Sequence, residues 1–266
     1  MSEARGAATF RTPAEAYDRH IGRYGRELAR ALIDAAGVRP GERALDVGCG
    51  PGALTTELVA LLGSEHVTAI DPSAPFAEAC RLRLPGVHVE VAAAESLPFG
   101  DSTFDHALSQ LVVNFMTDPA SGVREMARVT RRGGTVAAAV WDYAGEMTLL
   151  RCFWDAAVAV DPSAAERHEG NMPYCTASDL GVLWSSAGVA DVAVAPVTVS
   201  AGYDGFDDLW QPLELGVAPS GAYAASLPVE RRTALKEELR RRLEVGDGPF
   251  RLTARAWLAT GSVERD

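Results

Sequence analysis

The chain reads as an α/β protein: a mainly parallel sheet with helices on both faces. Two observations carry this. Short apolar runs between residues 43 and 141 alternate with helix-like segments, the rhythm of parallel strands joined by helical crossovers. The first run also passes through an acid into three alternating glycines, Leu45-Asp46-Val47-Gly48-Cys49-Gly50-Pro51-Gly52, and a helical pattern follows at once. Sheets of this kind hold ligands at the carboxyl ends of their strands.

Residues 1–12 are small and polar and are expected to be loose. Helical patterns cover Pro13 to Arg23 and Arg26 to Ala36, the second ending at Gly37. Strand one is Arg43 to Val47, followed by a helix from Leu54 to Leu62; strand two is Val67 to Ile70. A Ser73 cap with Pro75 in the first turn starts a helix to about Leu84. Strand three is Val87 to Ala92, and strand four is Phe104 to Ser109 after a Gly100-Asp101 turn. Asp118-Pro119 opens a helix expected to run to Arg132 and to stop at Gly133-Gly134, with strand five from Thr135 to Trp141.

The rhythm then changes. Met147 to Val160 is helical, and Thr176-Ala177-Ser178-Asp179 opens a helix with a capping-box pattern. Strand six is Val189 to Val199, and Arg251 to Ala259 reads as a closing strand. Residues 201–248, which include a charged helix from Pro228 to Glu244, are too long for a plain connection and are expected to form a lid. The organisation expected is an N-terminal helical cover over 1–42, a ligand-binding core over 43–142, and lid insertions with closing strands of the same domain over 143–266.

Composition narrows the function. Of 266 residues 47% are apolar and 23% charged, enough for a substantial core in an ordinary globular protein. The net charge of −11 disfavours a nucleic-acid backbone as partner. The densest basic run, Arg231 to Arg242, is interleaved with glutamates and reads as a solvated helix with opposite-charge pairs. Four scattered cysteines have no metal-ligand spacing, so no metal and no disulfide frame is expected. No apolar run approaches the roughly 18 residues of a membrane helix, and no apolar signal core is seen near Glu3 and Arg5. A cytoplasmic location is therefore expected.

At a glycine turn the backbone folds tightly and a ligand can rest on it without Cβ clashes. Asp71 closes the second strand at the distance expected for gripping ribose hydroxyls, so a nucleoside-type ligand is expected. The spacing Gly-x-Gly-x-Gly fits a dinucleotide less well than Gly-x-Gly-x-x-Gly would, and a turn with no ligand is the remaining reading.

The string Leu45 to Gly52 resembles the first signature of class I S-adenosylmethionine-dependent methyltransferases, and further resemblances follow in order. Asp71-Pro72-Ser73 stands where that family has its ribose acid, and Ala94-Glu95-Ser96-Leu97-Pro98-Phe99 resembles its Ala-Glu-x-Leu-Pro-Phe segment. Phe104-Asp105 opens its fourth strand, and Arg124 to Val129 with Gly133-Gly134 resembles the approach to its fifth. The resemblance covers about residues 13–142 and is nearest the small-molecule branch of the ubiquinone- and menaquinone-biosynthesis (type 11) enzymes.

It implies a Rossmann-like seven-stranded sheet with the last strand antiparallel, S-adenosylmethionine as cofactor, and methyl transfer to a small molecule, an apolar or aromatic secondary metabolite or quinone-like ring. Gly48, Cys49 and Gly50 would lie against the methionyl part. Asp46 would order the turn or accept from the amino group, and Ser109, followed by Gln110, would offer its carbonyl to the ammonium. Asp71 and Pro72 would hold the ribose side. Relatives place an Asp before the Ala-Glu pair to read adenine; this chain has Ala93, leaving the Ala94 amide, Glu95 or water. Tyr17 to Tyr24 resembles the family's N-terminal cover, in which Tyr17 and Arg23 would reach the methionyl carboxylate.

Methyl transfer from a sulfonium is an in-line displacement whose main demands are alignment and exclusion of water, and a base is needed only when the acceptor must lose a proton. Pocket candidates are Asn114, which replaces a histidine common in relatives, Trp141 and Tyr143; His168 beside Glu169 is a remote candidate base. Lid aromatics Phe153, Trp154, Tyr174, Tyr203, Phe206 and Trp210 suggest a large apolar acceptor, and packing of the lid against the sheet is the other reading for most of them. Two other readings keep the cofactor: a cyclase-like enzyme in which no methyl moves, and a catalytically silent regulator. A monomer and a homodimer are both compatible with the sequence.

Overall fold

The structure, a computed structural model, describes residues 14–264; the expectations for residues 1–13 lie outside the described residues. Seven strands form one sheet: β1 (Ala44–Val47), β2 (Val67–Asp71), β3 (His88–Val91), β4 (Phe104–Gln110), β5 (Thr130–Trp141), β6 (Ala190–Tyr203) and β7 (Phe250–Ser262). Their order is β3-β2-β1-β4-β5-β7-β6. The first five pair in parallel, while β7 runs antiparallel to both β5 and β6. The α/β, Rossmann-like sheet with an antiparallel last strand is therefore the fold. Its order reverses at β1, which pairs with β2 on one side and β4 on the other, so a crevice opens beyond the carboxyl ends of these strands.

Helix α1 (Ala14–Arg19) and a 3₁₀ turn (Ile21–Tyr24) lead into α2 (Gly25–Ala36). In α2, Leu28, Ala29, Leu32, Ile33 and Ala36 are buried, a helical stripe that packs on β4 and β5 and on α3 (Ala53–Leu62). Helix α4 (Ala74–Arg83) starts where Ser73 was expected to cap it, but the Ser73 side chain makes no capping bond; Asp71 Oδ1 instead accepts the Ser73 N–H at 2.8 Å. Helix α5 (Pro119–Val129) is capped as read, Asp118 accepting from Ser121 N at 3.0 Å.

The end of α5 corrects the sequence reading. The helix stops at Val129, three residues early, and Gly133-Gly134 lie inside β5, where the β4–β5 register shifts between Phe104 and His106. These glycines serve an irregularity in the strand, since a Cβ on Gly134 would stand 2.3 Å from the Asp105 carbonyl oxygen. The last two strands are longer than expected, pairing from Ala190 opposite Ser262 to Tyr203 opposite Phe250. Pro196 is accommodated because β6 is the sheet's edge.

Between β5 and β6 lie α6 (Thr148–Val160) and α7 (Ala177–Ser186), the latter capped by Thr176 accepting from Asp179 N at 3.1 Å. Between β6 and β7 lie α8 (Phe206–Glu214), α9 (Ala218–Ser226) and α10 (Val229–Leu243). Helix α10 buries only Leu235 and Leu239 and pairs Arg241 and Arg242 with Glu238. None of the helices among the described residues is long and apolar enough to cross a membrane.

Candidate active site

The site begins where β1 ends. Gly48 and Cys49 both donate their N–H to the Ile70 carbonyl at 2.8 Å, which ties the turn to β2. Gly48 has φ +78, and a Cβ there would stand 2.5 Å from a Val112 methyl; no other residue type fits that approach. Gly50, at φ +53, has nothing within 4 Å of a Cβ position and faces open space.

Asp71 fixes this geometry. Its Oδ2 accepts from Gly50 N at 2.8 Å and its Oδ1 from Ser73 N at 2.8 Å, which leaves each oxygen a second lone pair. Burial pushes its carboxyl up to about 6, against the two N–H groups that favour the charged form. Asp46, fully buried beneath the turn, accepts from Thr55 Oγ1 at 2.6 Å through Oδ2, while its Oδ1 has no partner among the described residues. Burial, and to a lesser degree the charge of Asp71, push Asp46 up to about 7. A buried acceptor left open is costly in water-excluded surroundings, and a ligand cation or N–H at that point would satisfy it.

Asp46, Gly48, Cys49, Gly50, Asp71, Pro72, Gln110 and Tyr17 all line one cleft of about 760 Å³, counting its open mouth. Gln110 donates to the Gly25 carbonyl at 3.2 Å and leaves Oε1 buried with no partner among the described residues. A smaller side cavity shares Gly48 and Pro72 with the cleft and is lined by Ala93, Ala94 and Glu95. Among the described residues the Ala94 N–H has no acceptor, whereas Glu95 Oε1 accepts from Thr117 N at 2.7 Å and Asp118 N at 3.2 Å.

A third cavity adjoins the cleft through Tyr17, Ile21, Leu111 and Phe115 and contains Trp141, Tyr143 and Glu169. Burial holds the Tyr143 phenol well above its ordinary range, with Glu169 adding to the shift. Glu169, 4% exposed, accepts from Trp154 Nε1 at 2.8 Å, and burial pushes its carboxyl up to about 7.

Several residues singled out in the sequence stand elsewhere. Ser109 donates its hydroxyl to the Val47 carbonyl at 2.9 Å and lines none of the three cavities. Arg23 pairs with Asp208 at 2.5 Å, donates to the Gly202 carbonyl at 3.0 Å and lies over the Tyr203 ring, so it joins the N-terminal turn to β6 and α8. Asn114 donates to the Pro173 carbonyl at 3.2 Å and lines no cavity either. Phe153, Trp154, Tyr203, Phe206 and Trp210 are buried among neighbouring side chains, and with Tyr174 they are absent from the cavity walls. His168 accepts from Gly170 N at 2.8 Å and lines an outer groove, whereas Glu169 beside it faces inward. No cluster of three or more His, Cys, Asp and Glu suited to a metal is present among the described residues.

Residues that sequence reasoning did not single out are Leu111, Val112 and Phe115. Leu111 has φ +63, a strained conformation for a leucine, and it separates the cleft from the third cavity. Its only signal was position, directly after Gln110 at the end of strand four.

Residues 45–138 match the family model described as a methyltransferase domain. A malonyl-[acyl-carrier protein] O-methyltransferase of Pseudescherichia vulneris is 36% identical over 131 residues, 49% of this chain and 51% of that protein. The chain spans about half the length, or less, of the first curated relatives it matches. The YcgJ protein of Bacillus subtilis superposes with a TM-score of 0.59 at 19% identity, over 90% of this chain and 99% of that one. The [4+2]-cyclase SpnF superposes with a TM-score of 0.56 at 19% identity, over 90% of this chain and 82% of that one. Residues 45–138 thus match a methyltransferase domain, and the fold is shared with these solved structures.

Proposed function

We propose that this protein transfers a methyl group from S-adenosylmethionine to a small-molecule acceptor. The observation that carries this is the Gly48–Gly50 turn pinned to Asp71, with an unpartnered, buried Asp46 oxygen in the same cleft. In this reading the ribose hydroxyls donate to the open lone pairs of Asp71, and the methionyl ammonium donates to Asp46 Oδ1. Adenine enters the side cavity beside Pro72, where the Ala94 N–H can donate to a ring nitrogen, while position 93 offers no acid to accept from the exocyclic amine. The cofactor supplies an activated methyl group; the chain's own residues bind it, align it and keep water out.

The acceptor would occupy the third cavity, whose walls are aromatic and aliphatic apart from Glu169, under a cover made by helices of the two late insertions. The cofactor cleft and this cavity meet at Tyr17 and Leu111, so the transferred methyl group would cross between these two residues. Among the described residues no Arg or Lys lines the cavity. A free carboxylate, such as the malonyl group in the relative's name, would face the carboxyl of Glu169, so an apolar acceptor of a different chemical class fits better.

Isothermal calorimetry with S-adenosylmethionine, followed by detection of S-adenosylhomocysteine over an acceptor panel, tests the proposal. Binding with S-adenosylhomocysteine release supports it. Turnover without that product would mean cyclase-like chemistry on the same seat, and binding with no turnover on any acceptor would mean a regulator.

A further inference from the structure

We propose that Glu169 is the proton acceptor of the transfer step and that the methyl acceptor is an apolar molecule of the phenol class whose hydroxyl faces it. This rests on the methyltransferase reading above. Glu169 opens a short 3₁₀ turn, Glu169–Asn171, and is almost fully enclosed. One carboxylate oxygen takes the Trp154 indole N–H at 2.8 Å; among the described residues nothing donates to the other. None of the ion pairs among the described residues includes it.

A structural role accounts poorly for such an acid. A glutamine would accept the same indole N–H without the cost of burying a charge. The cavity gives the carboxyl a purpose, because Glu169 is its acidic member and the cavity opens through Tyr17 and Leu111 onto the cofactor cleft.

The groups around Glu169 keep it able to take a proton. Trp154 of α6 donates to it. Tyr143 after β5, Cys175 before α7 and Tyr17 of α1 face it as neutral groups, burial holding each above its ordinary range. On its own segment, His168 is held by Gly170 N and lies 3.9 Å from Asp155, outside the cavity. Glu169 itself is raised to about 7, where a general base works best near neutral pH.

The charge of the donor selects the acceptor class. A sulfonium beside the cavity repels a second cation such as an alkylammonium, and it favours an oxygen that grows negative as its proton leaves. In the step, the hydroxyl proton passes to Glu169, and an oxygen lone pair forms the bond to the methyl carbon. The methyl–sulfur bond breaks with its electron pair kept on sulfur. The products are a neutral methyl ether and a thioether, and the Glu169 acid then returns its proton to water. Tyr143, kept neutral, can donate to the same oxygen and orient it.

The test uses 4-ethylphenol, its ether 4-ethylanisole and 4-ethylbenzylamine, with wild type and Glu169→Gln. S-adenosylhomocysteine should bind both proteins equally by calorimetry; failure to bind the wild type would remove the methyltransferase reading itself. With the cofactor bound, 4-ethylphenol should bind the wild type at least about tenfold better than 4-ethylanisole. Ether formation should rise with pH and level off above about 7. Glu169→Gln, which keeps the Trp154 bond, should lose about hundredfold in kcat together with that pH limb. Equal binding of phenol and ether, no ether product, methylation of the amine instead, or a Gln variant with the wild-type rate and pH limb would each overturn the proposal. Should the variant fail to fold, the phenol-against-ether comparison on the wild type still decides.

Discussion

On the sheet side of the cleft, the groups that face a ligand stand at the ends of neighbouring strands: Asp46 and Gly48 at the end of β1, Asp71 at the end of β2, Gln110 and Leu111 at the end of β4. On the helical side, the third cavity takes Tyr17, Tyr143, Leu150, Glu169 and Ala218 from segments spread over two hundred residues. The first wall is held by backbone hydrogen bonds and left-handed glycines; the second is held by packed aromatic side chains. A wall fixed by backbone geometry tolerates almost no change in residue type, whereas a wall made of side chains can be rebuilt for another molecule while the fold stays intact. The contrast suggests where a shared cofactor and a particular acceptor would each be recognised.

The sharpest way to break this comparison is Gly48→Ala. The new methyl group meets Val112 at 2.5 Å in a left-handed conformation, and cofactor affinity should fall by at least about a hundredfold, roughly 3 kcal/mol. Calorimetry that finds wild-type affinity would show that the backbone wall is not rigid. Asp71→Ala comes next. It removes the acceptor for both the Gly50 and Ser73 N–H groups as well as the ribose, and should weaken cofactor binding by about 1–3 kcal/mol.

Asp46 sharpens the comparison through pH. Its folded carboxyl lies near 7, above its ordinary value, so the native state holds a proton that the unfolded chain releases, and stability contributed here falls as pH rises from about 4 to 7. A ligand ammonium favours the charged form, so binding should release a proton and S-adenosylmethionine affinity should climb between pH 6 and 8. Titrations in buffers of different ionisation enthalpy measure that proton, and Asp46→Asn should flatten the climb.

The smallest effect is expected at Arg23. Its guanidinium is engaged by Asp208 and the Gly202 carbonyl, and it belongs to neither wall. Arg23→Gln should lower Tm by a few degrees, as about 1 kcal/mol does in a domain of this size, and change cofactor affinity less than twofold. A large loss of affinity would return Arg23 to the methionyl carboxylate.

The difference between the walls also explains what could be read from the residues alone. Strand periodicity, the Asp118-Pro119 and Thr176 caps and the glycine turn are local signals, each set by neighbours a few positions away. The strand sequence and the seats of Asp71, Gly48 and Gly50 were therefore visible. Gly133-Gly134 misled because a glycine pair ends a helix and serves a strand irregularity equally well; the deciding fact, the closeness of the Asp105 carbonyl, belongs to another strand. The lid aromatics left both readings open, since burial in packing and exposure to a pocket demand the same apolar residues.

His168 and Glu169 mark the boundary between the two kinds of knowledge. Sequence alone set the α/β fold class, the glycine turn and the acid at its side, because hydrogen bonding and steric limits act along the chain. Tertiary structure decided that Glu169 faces inward and His168 outward, that Arg23 joins elements away from the cleft, and that Asp46 keeps an oxygen open. Those outcomes depend on which distant segments come to rest against one another, and desolvation of a carboxyl is a property of that assembled surrounding.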